Sequence, residues 1–361
     1  MQKALGESTE NIDSPRLDVK PVTKHRQGDG MHLKSLRSWG VLCFALALLF
    51  HANADAQSYP TRPITIIVGF GAGGAADAVA RLYAQKLSQV LHTSVIVENK
   101  PGANQLSAIR SLQLAPADGY TLYLGTGSSL AQAPAVRTDL GYDPLKIFSF
   151  VGFIGTQPGV FLVNPSVPAR SIDELIAYAK AHPGELNFES SGLGSASHLE
   201  AEYFMHVTGI RMTQIPYKSD AEAIREIAAG TVPVGMITAP FAMPLIKAGK
   251  VRPIMVVASQ SQTYLPNVPA LSDMRVKGLV EMQPYTFFGL VGPAGLPSEA
   301  VARLNQALNE VAAMPDVASR MRESFYIEPA TGSPTSFREF VTKELAKWRE
   351  FGGAAGIRIS G

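Results

Sequence analysis

The sequence is poor in the residues that carry most covalent, redox and metal chemistry. It holds one cysteine in 361 residues. That cysteine, Cys43, lies inside an apolar run and follows Leu42 rather than a small residue, which makes it a poor acceptor for a lipid anchor. Past residue 56 there is no cysteine, so disulfides, thiolate metal sites and cysteine nucleophiles are excluded there. Histidine is scarce as well: only His92, His182, His198 and His206 lie past residue 56, and none are spaced as a ligand pair on one helix face. H-E-x-x-H is absent, and neither Ser128 nor Ser195 sits in G-x-S-x-G. Net charge is nearly absent too. Setting aside the first 56 residues, with their seven Lys/Arg and six Asp/Glu, leaves 25 basic against 24 acidic residues, too even a balance for a nucleic-acid-binding surface. No run past residue 56 approaches the roughly 18 consecutive apolar residues of a membrane-spanning helix.

What the sequence does contain begins with an address. The stretch from Met31 to Ser38 is basic through Lys34 and Arg37, Trp39 to Phe50 is an uncharged run of 12 residues, and Ala-x-Ala follows at Ala52 to Ala54 and at Ala54 to Ala56. These are the three regions of a secretory signal peptide, and the apolar run falls short of the about 20 residues that span a bilayer. Cleavage is expected after Ala56. Residues 1–30 are polar and mixed in charge, and read either as an extended N-terminal region of the signal or as sequence ahead of a true start at Met31.

Beyond that address, strands and helices alternate, the mark of open α/β sheets. One series runs Ile64 to Val68, a helix, Ser94 to Val97, a helix from about Asn104 to Leu114, and Tyr120 to Leu124. A loop containing Pro134 and Pro144 leads to strands at Phe150 to Ile154 and Val160 to Val163. Ser171 and Glu174 then form a capping box that opens a helix ending near Pro183. A second series follows through Leu186 to Phe188, Met212 to Ile215, Val234 to Ile237 and Pro253 to Ala258, with helices between. A strand at Tyr285 to Val291 precedes a helix starting at Pro297 and two more helices. A chain of this length exceeds what one core usually fills. The pattern predicts a hinged, two-lobed α/β molecule, each lobe a mainly parallel sheet flanked by helices. One lobe spans 57–156 plus 283–361 and the other 157–282.

Three turns of small residues stand between strand and helix. Gly69-Phe70-Gly71-Ala72-Gly73-Gly74 satisfies G-x-G-x-x-G, and Glu98 closes the next strand about 20 residues on, where a dinucleotide-binding fold keeps its ribose acid. Helix N-termini also bind plain carboxylates through unpaired amides and the helix dipole. Ser190-Ser191-Gly192-Leu193-Gly194-Ser195-Ala196-Ser197 and Gly125-Thr126-Gly127-Ser128-Ser129 offer further glycines and hydroxyls. Open sheets bind ligands beyond the carboxyl ends of their strands, so turns from both lobes would face one cleft. A glycine turn can equally serve strand-to-helix packing alone. Asp77 either complements its helix dipole or contacts the ligand or an ordered water. His198 reads as a local hydrogen-bonding partner more readily than as a base, and Lys218 as a surface charge more readily than a contact.

Taken together, several stretches resemble a known family. They are Tyr59-Pro60-Thr61-Arg62-Pro63-Ile64, Gly73-Gly74-Ala75-Ala76-Asp77, Val97-Glu98-Asn99-Lys100-Pro101-Gly102-Ala103, Asp118-Gly119-Tyr120-Thr121-Leu122, Ser190-Ser191-Gly192, Pro216-Tyr217-Lys218 and Pro293-Ala294-Gly295-Leu296-Pro297. In this order they resemble the signature of the tripartite tricarboxylate transporter substrate-binding proteins, also called Bug receptors. The resemblance implies a periplasmic binding protein of the Venus flytrap kind and not an enzyme. It would act as a monomer without cofactor or metal, binding a small organic carboxylate (a di- or tricarboxylate, an amino acid or an aromatic acid) and delivering it to a membrane permease or a sensor. The family's ligand-binding turns map onto Phe70, Gly71, Gly73, Gly74 and Asp77, then Thr126 and Ser128, and across the cleft Ser190, Ser191, Gly194, Ser195, Ser197 and Asp220. Glu98 then belongs to a structural turn. Two departures stand out. Asn104-Gln105 replaces a usual glycine pair, and Ser219-Asp220 replaces a small pair, so that Asp220 brings a negative charge to an anion site and suggests a ligand with a donor or positive group.

Overall fold

The computed structural model describes residues 59–359 except 193, 218 and 283. The expected export segment and Lys218 lie outside these. Eleven strands are formed among the described residues: β1 (Ile64–Val68), β2 (Val95–Asn99), β3 (Thr121–Thr126), β4 (Phe148–Gln157), β5 (Gly159–Val163), β6 (Asn187–Ser190), β7 (Thr213–Pro216), β8 (Val234–Thr238), β9 (Arg252–Val257), β10 (Thr286–Pro293) and β11 (Glu328–Pro329). They build two sheets, one of order β11-β4-β10-β3-β1-β2 and one of order β7-β6-β8-β5-β9.

Both sheets are covered on both faces, which is why their strands read as nearly unbroken apolar runs. In β1, Ile64, Ile66 and Val68 enter one core with Val79 and Leu304, while Ile67 enters the opposite core with Ile109, Phe337 and Trp348. The second sheet divides likewise: Phe161 and Val163 pack with Phe204, and Val160 and Leu162 pack with Ile227 and Met243. Helices Ala75–Val90, Leu106–Gln113, Ser298–Ala313 and Pro334–Ala355 supply the first sheet's partners. Helices Ile172–Ala181, Ala196–Thr208, Asp220–Ala229 and Ala239–Lys247 supply the second's. None of the helices is long and apolar enough to cross a membrane, among the described residues.

The expectation of mainly parallel sheets is corrected: both are mixed. β1 is parallel to β2 and β3, but β10 runs antiparallel to β3 and β4, and β11 antiparallel to β4. In the second sheet β6 is parallel to β7 and β8, whereas β5 is antiparallel to β8 and β9. Parallel neighbours need a crossover of a dozen or more residues, usually a helix. Only Pro158 separates β4 from β5, so the chain passes straight from one sheet into the other. It returns between Val257 and Thr286 to insert β10 between β3 and β4, running the other way. The loop with Pro134 and Pro144 is also more ordered than expected. It contains a π-helical turn, Ser128–Gln132, and two single helical turns, Ala133–Val136 and Pro144–Ile147, each with proline in its first turn, where no amide hydrogen is needed.

Candidate functional site

The glycine loop after β1 is shaped by glycine at one position and fastened by one acid. Gly73 has φ +87°, a conformation that L side chains rarely adopt. Asp77, in the first turn of the Ala75–Val90 helix, accepts from the Gly73 N–H at 2.9 Å, from Arg81 Nε at 2.9 Å and from Asn99 Nδ2 at 2.9 Å. Asn99 also donates to the Phe70 carbonyl at 3.0 Å. Burial alone would raise the Asp77 carboxyl, but the hydrogen bonds from Arg81, Gly73 and Asn99 outweigh it and hold the group below its ordinary value. Asp77 is therefore committed to shaping the loop. Gly74 caps the helix without a side-chain bond, so the first amides, among them those of Ala75 and Ala76, keep no intrahelical partner. Glu98 is half-exposed and paired with Lys100 at 3.2 Å.

Below this loop lies the turn after β3. Thr126 Oγ1 donates to Gln105 Oε1 at 3.2 Å, which also accepts from Tyr123 Oη at 2.7 Å. Gln105 and Asn104 adopt left-handed backbone, with φ 72° and 49°. The two positions where the resembling family has glycine thus keep a glycine-like conformation with side chains on them. Ser128 Oγ is buried and has no protein partner.

The second sheet contributes the turn after β6. Ser195 caps the Ala196–Thr208 helix by accepting from the His198 N–H at 3.3 Å. His198 Nδ1 accepts from the Gly194 N–H at 3.0 Å. Burial lowers the His198 pKa to about 4, so the ring is neutral near pH 7 and its 3.7 Å approach to Glu202 is not an ion pair then. Ser191 Oγ donates to Asp220 Oδ1 at 2.6 Å and Thr238 Oγ1 donates to Asp220 Oδ2 at 3.0 Å. Beneath them Glu189 is fully buried, and burial together with the nearby Asp220 carboxylate pushes its carboxyl well above the ordinary range.

These turns open on one cavity of about 500 Å³, within the usual range for small-molecule sites. Phe70, Gly71, Gly73, Gly74, Thr126, Ser128, Ser191, Ser195, Ser197 and Asp220 all line it. Asp77, Ser190 and Gly194 do not: Asp77 is turned into its own loop, Ser190 Oγ accepts from Gln214 Nε2 at 2.6 Å, and the Gly194 N–H is held by His198. Asn104, Gln157, Thr238, Phe241, Tyr285, Thr286 and Phe288 also line the cavity and were not among the binding residues expected from the sequence. Most of these sit at strand ends or just beyond, without a local motif. Asn104 carried a signal, as a departure from a glycine pair. Among the described lining residues Asp220 is the one charged side chain.

A two-sheet α/β molecule with strand ends and helix N-termini from both sheets around one cavity has the architecture of the periplasmic binding proteins. Among solved structures, one described as a periplasmic transporter is 31% identical with a TM-score of 0.75, covering 83% of this chain and 99% of that one. An R. palustris protein with adipate is 34% identical, again with a TM-score of 0.75 and coverage of 83% and 99%. Residues 79–356 match the model of the tripartite tricarboxylate transporter family receptor. Protein BugT of Bordetella pertussis is 32% identical over 301 residues, 82% of this chain and 90% of that protein. The chain belongs to the tripartite tricarboxylate transporter receptor family, as its dispersed motifs indicated.

Proposed function

We propose that the protein is a periplasmic receptor that captures a small organic carboxylate and delivers it to a tripartite tricarboxylate-type membrane permease or to a sensor, with no catalytic step. The observation that carries this reading is the donor wall. Gly74, Ala75 and Ala76, where the Ala75–Val90 helix starts with uncapped amides, and Ser128, whose buried hydroxyl has no protein partner, line one cavity. An anion at a helix N-terminus gains typically 0.3–1 kcal/mol, up to about 2 where partly buried. The two lobes would be 57–156 plus 283–361 and 157–282, hinged where the chain changes sheets. The adipate-bound relative supports a carboxylate ligand. The dinucleotide reading of the glycine turn loses its ribose acid, since Glu98 pairs with Lys100 and does not line the cavity.

Native mass spectrometry of the protein recovered from the periplasm is expected to release a small carboxylic acid. Nicotinamide dinucleotides are expected to leave the intrinsic fluorescence unchanged. Saturable quenching at micromolar dinucleotide would overturn the receptor reading in favour of an exported oxidoreductase.

A further inference from the structure

The cavity wall changes character from one side to the other. At the Ala75–Val90 helix and Ser128 it presents donors. Around Asp220 the side chains that contact it present acceptors. A hydroxyl has one proton to give. Ser191 and Thr238 each spend theirs on an Asp220 oxygen, at 2.6 Å and 3.0 Å, and so offer only lone pairs to anything else. Gln157, at the end of β4, is a further lining residue. Its Nε2 donates to the Phe325 carbonyl at 2.8 Å, which fixes the sense of the amide because a carbonyl can only accept. Gln157 Oε1 is left buried and unpartnered. The dipole of the Asp220–Ala229 helix is already answered by Asp220 itself, in its first turn. No lysine or arginine is found among the described residues that line the cavity.

A second carboxylate placed beside Asp220 would meet like charge and lone pairs in a partly dehydrated space, an arrangement that strongly disfavours binding. An ammonium group has three donors and no acceptor, and there it would find an opposite charge together with the oxygens that need protons.

Building on the carboxylate-receptor reading, we propose that this chain selects a zwitterion: an amino-carboxylate whose carboxylate lies at the Ala75–Val90 helix and whose ammonium group lies at Asp220, in preference to a plain dicarboxylate. Asp220 is the specificity-determining residue, and its rejection of a second anion matters as much as its attraction for the cation.

Calorimetric titration of the full chain, freed of retained ligand, tests this with pairs of similar length: alanine against propionate, γ-aminobutyrate against succinate, and ε-aminocaproate against adipate. In at least one pair the amino-carboxylate is expected to bind tenfold or more tightly than its partner. Asp220→Asn removes the charge and keeps one acceptor oxygen, its NH2 donating to whichever of the Ser191 and Thr238 hydroxyls that oxygen does not serve, and it should reduce that preference at least tenfold. Asp220→Ser, which restores a small residue, should do the same if Asp220→Asn fails to fold. Preference for the dicarboxylates, unchanged in either variant, would overturn the selectivity while leaving the receptor reading intact. Failure of every carboxylate to bind would overturn both.

Discussion

Two glycines in the loop after β1 separate backbone shape from ligand access. A side chain at Gly73 would meet nothing within 4 Å but would have to adopt φ +87°, whereas Gly71 has open space and no such constraint. Gly73→Val is expected to cost stability on the order of 1–2 kcal/mol through backbone strain. It should also displace the amides that face the cavity. Charge-assisted hydrogen bonds contribute on the order of 1.5–3 kcal/mol each, so losing two weakens affinity by a factor of about 100 or more. Gly71→Val should leave stability within about 0.5 kcal/mol of the parent and still reduce affinity by obstruction. Thermal unfolding and titration of both variants check this, and full affinity in both would place the anion elsewhere. Asn104 and Gln105 show the opposite solution. They accept left-handed backbone so that Gln105 can bond Tyr123 and Thr126, and Asn104 Nδ2 can reach the Gly194 carbonyl at 3.4 Å across the cavity.

At the scale of the element, one device recurs. In three helices the side chain at the third position accepts from the backbone N–H four residues earlier: Asp77 from Gly73, Glu174 from Arg170 and His198 from Gly194. Each bond satisfies an amide just ahead of the helix and fixes the entering turn. Of the three acceptors, the His198 ring is lost altogether on protonation, because protonated Nδ1 becomes a donor facing a donor. Its folded pKa is depressed to about 4, against 6.5 for the free group. The stability it contributes is therefore present above about pH 6.5 and lost as pH falls through about 4. By linkage this amounts to at most about 3 kcal/mol. Burial raises the carboxyls of Glu189, Glu200, Glu202 and Glu344, which act with the opposite sign as pH rises above their ordinary range. Comparing unfolding midpoints of the parent and His198→Asn isolates the histidine. The variant, which keeps an acceptor but cannot titrate, should show a shallower loss between pH 6.5 and 4. Parallel curves would show that His198 is not the acid-sensitive fastener.

Over the whole molecule, two crossings join the sheets, and a third link adds to them. The Pro334–Ala355 helix, which packs on the first sheet, brings Phe351 to 4.8 Å from the Tyr203 ring on the Ala196–Thr208 helix of the second. Gln132 Nε2 donates to Glu200 Oε1 at 3.2 Å nearby. With the cavity walls drawn from both sheets, a bound ligand would draw the two together by a hinge at these links. Solution scattering with and without a saturating ligand is expected to show a smaller radius of gyration in the bound protein. Superimposable profiles would argue for a rigid site.

The order of the longer strands and helices was legible along the chain, because strands covered on both faces and helices with one apolar stripe leave their period there, whereas the two-residue β11 and the short turns between Ser128 and Ile147 are too brief to leave one. The motifs spread across nearly the whole length revealed the family, and the turns after β1, β3 and β6 were marked by glycines and hydroxyls standing between strand and helix. Tertiary structure alone decided the rest. Sheet order and direction depend on where β10 inserts, which no local pattern records. Gln157, Thr238, Tyr285 and Phe288 reach the cavity because distant strand ends converge there. Asp77 and Ser190 turn away from it because nearer partners, Gly73 and Gln214, satisfy their oxygens first. A residue's period along the chain reports whether it is buried. What its polar atoms face is set by neighbours that are far away in sequence.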